Sequence, residues 1–150
     1  MKAVQIPRYS KNIDPVLREI PIPKIADTEV LVRVKAAAVN PVELLIATGS
    51  VRLIQDYSMP LTLGNECSGV VEQVGASVTE FQVGEAVYAR LPVRTLGGFA
   101  EYVSVPQSTL AKMPAGCDFA AAAAIPLTGL TAWQCLTEEL EAKAGETVLI

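Results

Sequence analysis

Histidine is absent from the whole chain of 150 residues. That removes Ser-His-Asp and Cys-His catalysis from this segment, with every metal site that needs an imidazole. Cysteine is scarce: Cys67, Cys117 and Cys135 are odd in number, widely spaced and in no C-x-x-C pair. They make no disulfide framework, and buried reduced thiols are the expectation. Twelve basic residues face sixteen acidic ones, for a net charge of -4, and they are scattered. A nucleic-acid partner needs clustered Lys and Arg against phosphate, so none is expected. No apolar run reaches bilayer-spanning length, and the opening residues carry no apolar signal core. No membrane partner is expected, and the cytoplasm is the default compartment.

What the chain does have is an apolar fraction of 51% with 19% charged residues, a globular composition long enough for a real core. The first hundred or so residues read as β-rich. Lys2–Ile6 is a short strand. Glu29–Ala38 alternates, with Val30, Val32 and Val34 on one face and Leu31, Arg33 and Lys35 on the other. Asn40 is a good N-cap, Pro41 suits the first helical position, and Gly49 closes a two-turn helix. Ser50–Pro60 reads as an irregular loop. Gly69–Val74, Ala86–Arg90 and Phe99–Val105 read as further strands bounded by glycine turns. Short strands with such turns fit a small barrel better than a flat sheet.

The character changes near Ala115-Gly116. Asp118 can cap a helix through Ala120–Ala124, and Pro126 breaks or restarts it. Leu127–Leu140 reads as a helix with Leu130, Trp133, Leu136 and Leu140 at three-to-four spacing. Gly145 then turns into Thr147–Ile150, which reads as a buried strand just starting.

Four stretches together carry a family resemblance: Ala37-Ala-Val-Asn-Pro-Val-Glu-Leu44, Leu63-Gly-Asn-Glu-Cys-Ser-Gly-Val-Val71 followed by Val74-Gly75, Gly97-Gly-Phe-Ala-Glu-Tyr-Val103, and Ala124-Ile-Pro-Leu-Thr-Gly-Leu-Thr-Ala-Trp133. In order and at this spacing they resemble the N-terminal part of the medium-chain dehydrogenases/reductases, in the zinc-free quinone oxidoreductase branch. The resemblance implies a mainly β fold with some α: a GroES-like catalytic barrel over residues 1–115. Residues 116–150 would then hold connector helices and the first strand of a truncated NAD(P)-binding Rossmann domain.

Zinc-dependent members of that family place a Cys where Asn40 stands, a His where Asn65 stands and a second Cys near Leu127. Asn is a poor zinc ligand and Leu is none, so the resemblance implies no metal. Without a metal to polarise an oxygen, the reaction it implies is hydride transfer from NADPH to a quinone or an α,β-unsaturated carbonyl (an enone). Asn40 would lie beside the nicotinamide or the acceptor and donate to a developing oxyanion; a plain N-cap is the other reading, and both can hold. Thr128 and Thr131 would lie near the cofactor, although a Thr bonded back to its own helix is an alternative for Thr128. Tyr57 stands in for a family tyrosine that follows the first helix in a loop of different length. Glu66 is read as structural, accepting backbone N–H groups or pairing with an Arg, and Cys67 as core.

The resemblance also implies that the main NADPH site lies beyond residue 150, and that the 150-residue piece alone is inactive. An orphan strand at Thr147–Ile150 and an apolar connector face predict self-association. The competing reading is a stand-alone GroES-like binding or structural module without catalysis.

Overall fold

The computed structural model describes residues 1–149. Two antiparallel sheets form most of it. The first has three strands in the order β2-β1-β4, with β1 at Lys2–Ile6, β2 at Val16–Glu19 and β4 at Leu61–Thr62. The second has five, in the order β7-β3-β5-β6-β8: β3 Glu29–Ala37, β5 Glu66–Val74, β6 Ala86–Arg90, β7 Tyr102–Pro106 and β8 Leu110–Lys112. This is the mainly β, curled half-barrel that the glycine-punctuated short strands led us to expect.

The curl has a local cause. The β3–β5 register slips twice, between Leu31 and Val32 and between Val34 and Ala36. Each slip leaves an extra residue on one strand, which bends it and increases its twist. Gly69 sits in this pairing because a Cβ there would lie 2.8 Å from Val32 Cγ1 and closer still to the Arg33 carbonyl.

Alternation along β3 puts Val30 and Val32 fully into the core, with Val34 packed at its edge, while Arg33 and Lys35 face out. Leu31 on the opposite face is buried as well. Val71, Val87, Leu91, Val103 and Val105 complete this core. A second cluster of Ile6, Ile46, Ala47, Tyr57 and Leu63 fastens the only α-helix before residue 100, α1 (Pro41–Thr48), to the three-stranded sheet. α1 begins after Asn40 and ends at Gly49, whose φ of 78° lets its N–H bond back to Ile46 O and Leu45 O.

Three expectations need correction. The strand expected over Phe99–Val105 is Tyr102–Pro106, because 99–101 crosses between sheets. Val4 N donates to Phe99 O, Phe99 N to Leu63 O and Val34 N to Glu101 O. The single helix expected over Leu127–Leu140 is α3 (Pro126–Gln134) followed by a π-type turn at Cys135–Glu139. Leu130, Trp133 and Leu140 of its apolar stripe stay exposed. The strand expected over Thr147–Ile150 is not formed at 147–149, and Ile150 lies outside the described residues. A lone strand has no neighbour to satisfy its backbone, so it gains nothing by extending. β2, whose four residues are all exposed, carried no alternation to announce it.

Downstream, α2 (Phe119–Ala123) starts at Asp118, whose Oδ1 accepts from Ala121 N at 2.7 Å. α2 packs on the barrel: Ala122 and Ala123 are buried, and Ser68 Oγ donates to Phe119 O. α3 therefore leaves the barrel from a fixed point, across a cleft from α1.

Candidate functional site

Asn40, Tyr57, Thr128 and Thr131, the four residues singled out from the sequence, line one cleft of about 590 Å³. Its walls are α1, the loop from Val51 to Tyr57 and α3. Pro41, Val42, Ile46, Val51, Ile54 and Val93 make most of the surface apolar. Asn65, Arg90, Gln55, Leu127 and Ala132 supply the rest.

Two buried glutamates organise the floor. Glu66, fully buried on β5, accepts from Asn40 Nδ2 at 2.7 Å through Oε1 and from Leu127 N at 2.6 Å through Oε2. Leu127 is the second residue of α3, so its N–H has no partner within the helix. Pro126 before it has no N–H to satisfy. Glu66 thus caps α3 from the barrel side, which is the structural role read from the sequence. Glu43, the third residue of α1, is 3% exposed. Its Oε1 accepts from Asn65 N at 3.0 Å and Asn65 Nδ2 at 2.7 Å, and its Oε2 accepts from Asn40 N at 2.7 Å.

These bonds fix how Asn40 presents itself. A carboxylate only accepts, so the group facing Glu66 must be the amide nitrogen. The backbone of Asn40 caps α1, with its carbonyl accepting from Glu43 N at 3.0 Å, while its side chain turns toward β5. Both readings of this residue are geometrically compatible. One hydrogen of Nδ2 goes to Glu66, and the other is left for the cleft.

Tyr57 is 8% exposed, and its hydroxyl bonds to no described side chain or backbone group. Burial pushes its phenol above the usual tyrosine value, Tyr9 adds to this, and the positive charge of Arg90 opposes it. Its backbone is held by Tyr9: Tyr57 N donates to the Tyr9 hydroxyl at 2.7 Å, and that hydroxyl donates to Asp56 Oδ1 at 2.8 Å. Arg52 lies 4.6 Å from the Tyr9 ring centre and pairs with Asp56 at 3.1 Å. The Arg52 hydrogen bond, then that of Tyr9, holds the Asp56 carboxyl below its ordinary range.

Thr128 and Thr131 both bond back to a backbone carbonyl four residues earlier, Thr128 to the C-cap of α2 and Thr131 within α3. Thr128 Oγ1 donates to Ala124 O at 2.6 Å and Thr131 Oγ1 to Leu127 O at 2.7 Å. Their hydrogens are spent, so toward the cleft they offer acceptor lone pairs.

Positions 40, 65 and 127, where the resemblance places zinc ligands in other members, do converge on the cleft. They bring two amides tied to carboxylates and an aliphatic side chain. Among the described residues no three His, Cys, Asp or Glu side chains group at metal-binding distance, so the donor set does not fit zinc. Two residues escaped the sequence reading. Glu43 was visible as the fourth member of an Asn-x-x-Glu capping box. Arg90 at the end of β6 carried no local signal.

Residues 26–115 match the model of the alcohol dehydrogenase GroES-like domain. The human quinone oxidoreductase is 38% identical over 135 residues, covering 87% of this chain and 38% of that protein. The chloroplastic NADPH-dependent alkenal/one oxidoreductase of Arabidopsis thaliana is 36% identical over 137 residues, covering 87% and 35%. The structure of Escherichia coli quinone oxidoreductase complexed with NADPH superposes with a TM-score of 0.83 at 26% identity, covering 93% of this chain and 41% of that one. The chain thus spans less than half the length of the relatives it matches. It belongs to the medium-chain dehydrogenase/reductase superfamily, in the quinone oxidoreductase-like branch, with residues 26–115 as its GroES-like domain.

Proposed function

We propose that this chain forms the substrate side of a zinc-independent, NADPH-dependent reductase acting on quinones or α,β-unsaturated carbonyls. The observation that carries this reading is the cleft floor. The positions suited to a catalytic zinc hold Asn40, Asn65 and Leu127, and buried carboxylates already bind both amides. Conjugated acceptors are electrophilic without a Lewis acid, so orientation and a few hydrogen bonds suffice.

NADPH, when bound, supplies the hydride. The residues of this chain fit around it in complementary senses. Thr128 and Thr131 present acceptor oxygens to N–H or O–H groups of the cofactor. Asn40 has an N–H to spare, and the phenol of Tyr57, whose burial pushes it further above the usual tyrosine value, has an O–H. Both can donate to the oxygen on which negative charge develops. Glu66 acts through Asn40 as a positioning residue. The apolar wall from Val42 to Ile54 keeps water from that oxygen and strengthens each bond to it.

In this reading residues 1–115 are the catalytic domain, and 116–150 are the connector and the start of the cofactor domain. The 150-residue piece alone would then bind NADPH weakly and turn over nothing. Its exposed Leu130, Trp133, Leu140 and Leu149 would make it self-associate, which light scattering at rising concentration tests. Three free cysteines favour a reducing compartment such as the cytoplasm.

The deciding experiment is a steady-state assay of the complete protein containing this chain, with NADPH and a panel of quinones and enones. Equal chelator-treated and untreated rates, with turnover of conjugated acceptors only, are expected. Oxidation of simple alcohols that chelation abolishes would overturn the reading.

A further inference from the structure

Arg90 is the last residue of β6, opposite Glu66 in the β5–β6 register. It is half-buried. It lines the cleft, and it also borders a second cavity under α3 with Tyr88, Ile125 and Trp133. The three ion pairs among the described residues use Arg33, Arg52 and Lys112, and the Arg90 guanidinium hydrogen-bonds to none of these residues. The two carboxylates of the cleft floor are taken: Glu66 by Asn40 and Leu127, Glu43 by Asn65 and Asn40. A guanidinium carries five donors in a planar fork that matches an oxyanion. Among the described residues no carboxylate pairs with this half-buried group, so an incoming anion can. Arg90 and Tyr57 line the same cleft, so an acceptor held by the Tyr57 phenol would lie in the cavity that Arg90 borders.

We propose that Arg90 is a specificity residue that receives an anionic substituent, a carboxylate or sulfonate, carried on the conjugated acceptor. The cleft then selects acidic quinones or enones over neutral ones. This inference rests on the reductase reading for its place in catalysis, but the anion site itself can be measured without turnover.

The test uses the complete protein containing this chain, with NADPH and two matched acceptors, 1,4-naphthoquinone and 1,4-naphthoquinone-2-sulfonate. The readout is the ratio of kcat/KM for the sulfonate to that for the neutral quinone. Comparing this ratio between wild type and variant cancels the different electrophilicity of the two compounds. In Arg90→Met the ratio falls about tenfold, the range of a charge-assisted hydrogen bond; in Arg90→Lys it falls less, because charge remains without the fork. Should Arg90→Met not fold, Arg90→Lys carries the same comparison. A ratio unmoved in both variants overturns the proposal, as does a raised KM for NADPH with the ratio unmoved, which would turn Arg90 toward the cofactor. If the wild type reduces neither compound, the reductase reading fails while the anion site is still decided. Calorimetric binding of 1,4-naphthoquinone-2-sulfonate that Arg90→Met weakens supports the site, and equal binding overturns it.

Discussion

Asn40 and Glu66 stand 26 positions apart in sequence and share a hydrogen bond of 2.7 Å, Nδ2 to Oε1, in the floor of the cleft. The second oxygen of the same carboxylate holds Leu127 N at 2.6 Å. One buried side chain therefore joins the start of α1, the strand β5 and the start of α3, and sets the width of the cleft between the two helices.

Replacing Glu66 should show this linkage first as lost stability. Glu66→Ala leaves two buried donors without partners, each costing about 1–3 kcal/mol. Glu66→Gln should be nearly as damaging, because both neighbours are donors and an amide can accept from only one of them. Urea unfolding of the wild type and both variants measures this. A Gln variant as stable as wild type would mean that one of the two bonds is not formed in solution.

Asn40 should separate its two roles by substitution. Asn40→Ala removes the cleft-facing amide but keeps the backbone carbonyl that accepts from Glu43 N. In the proposed reductase it should lower kcat about a hundredfold to a thousandfold, the scale of one lost oxyanion-hole donor. The loss of folding stability should be about 1–3 kcal/mol, because the buried Glu66 oxygen is left without its donor. Kinetics equal to wild type would reduce Asn40 to a helix cap.

Tyr9 does not line the cleft, yet it holds the loop that carries Tyr57. Tyr9→Phe removes one of two acceptors for Tyr57 N, leaving Asp56 Oδ1 at 3.1 Å, and one of the donors to Asp56. The expected outcome is a KM for the acceptor raised several-fold with kcat changed less, since the loop loses its place while Tyr57 keeps its hydroxyl. Tyr57→Phe should do the reverse, lowering kcat more than it raises KM. Identical effects of the two substitutions would contradict the division.

Cys67 should be the slowest thiol of the three. Burial, and then the neighbouring Glu66 carboxylate, push it up to about 12. The raised value means that the folded state favours the neutral thiol. The stability this contributes is whole below the unfolded value near 9 and is lost as pH rises toward 12. An aromatic disulfide reagent at pH 8 should label exposed Cys135 first, Cys117 next and Cys67 only after unfolding. Labelling of Cys67 in the native state at the rate of Cys135 would show that the β5 core opens.

Parts of this architecture were legible because they depend on short stretches of chain. The Asn40-Pro41 start and Gly49 end of α1 follow from capping chemistry that needs no distant partner. The alternation of β3 is a local period that burial converts into an inner and an outer face. The crossing at Phe99–Glu101 was misread as plain strand because its bonds go to two different sheets, at Val4, Leu63 and Val34. The strand expected at Thr147–Ile150 failed in its described part for the same reason, since β structure is stabilised by a neighbour rather than by its own residues. Arg90 was passed over because an unpaired charge can be recognised only after every possible partner has been located.

By itself, the sequence determined the mainly β class, the absence of imidazole chemistry and the family, and it nominated Asn40, Tyr57, Thr128 and Thr131 as candidates. Composition, local periodicity and motif order carry those, and none requires knowing what lies across space. Only the tertiary structure decided that these four residues share one cleft. It also decided that Glu66 and Glu43 consume the amides standing where zinc ligands could, that both threonines face the cleft as acceptors, and that no ion pair among the described residues engages Arg90. Those outcomes depend on which hydrogen-bonding groups meet at 2.6–3.0 Å, and it is the folding of β5, α1 and α3 onto one another that brings them within reach.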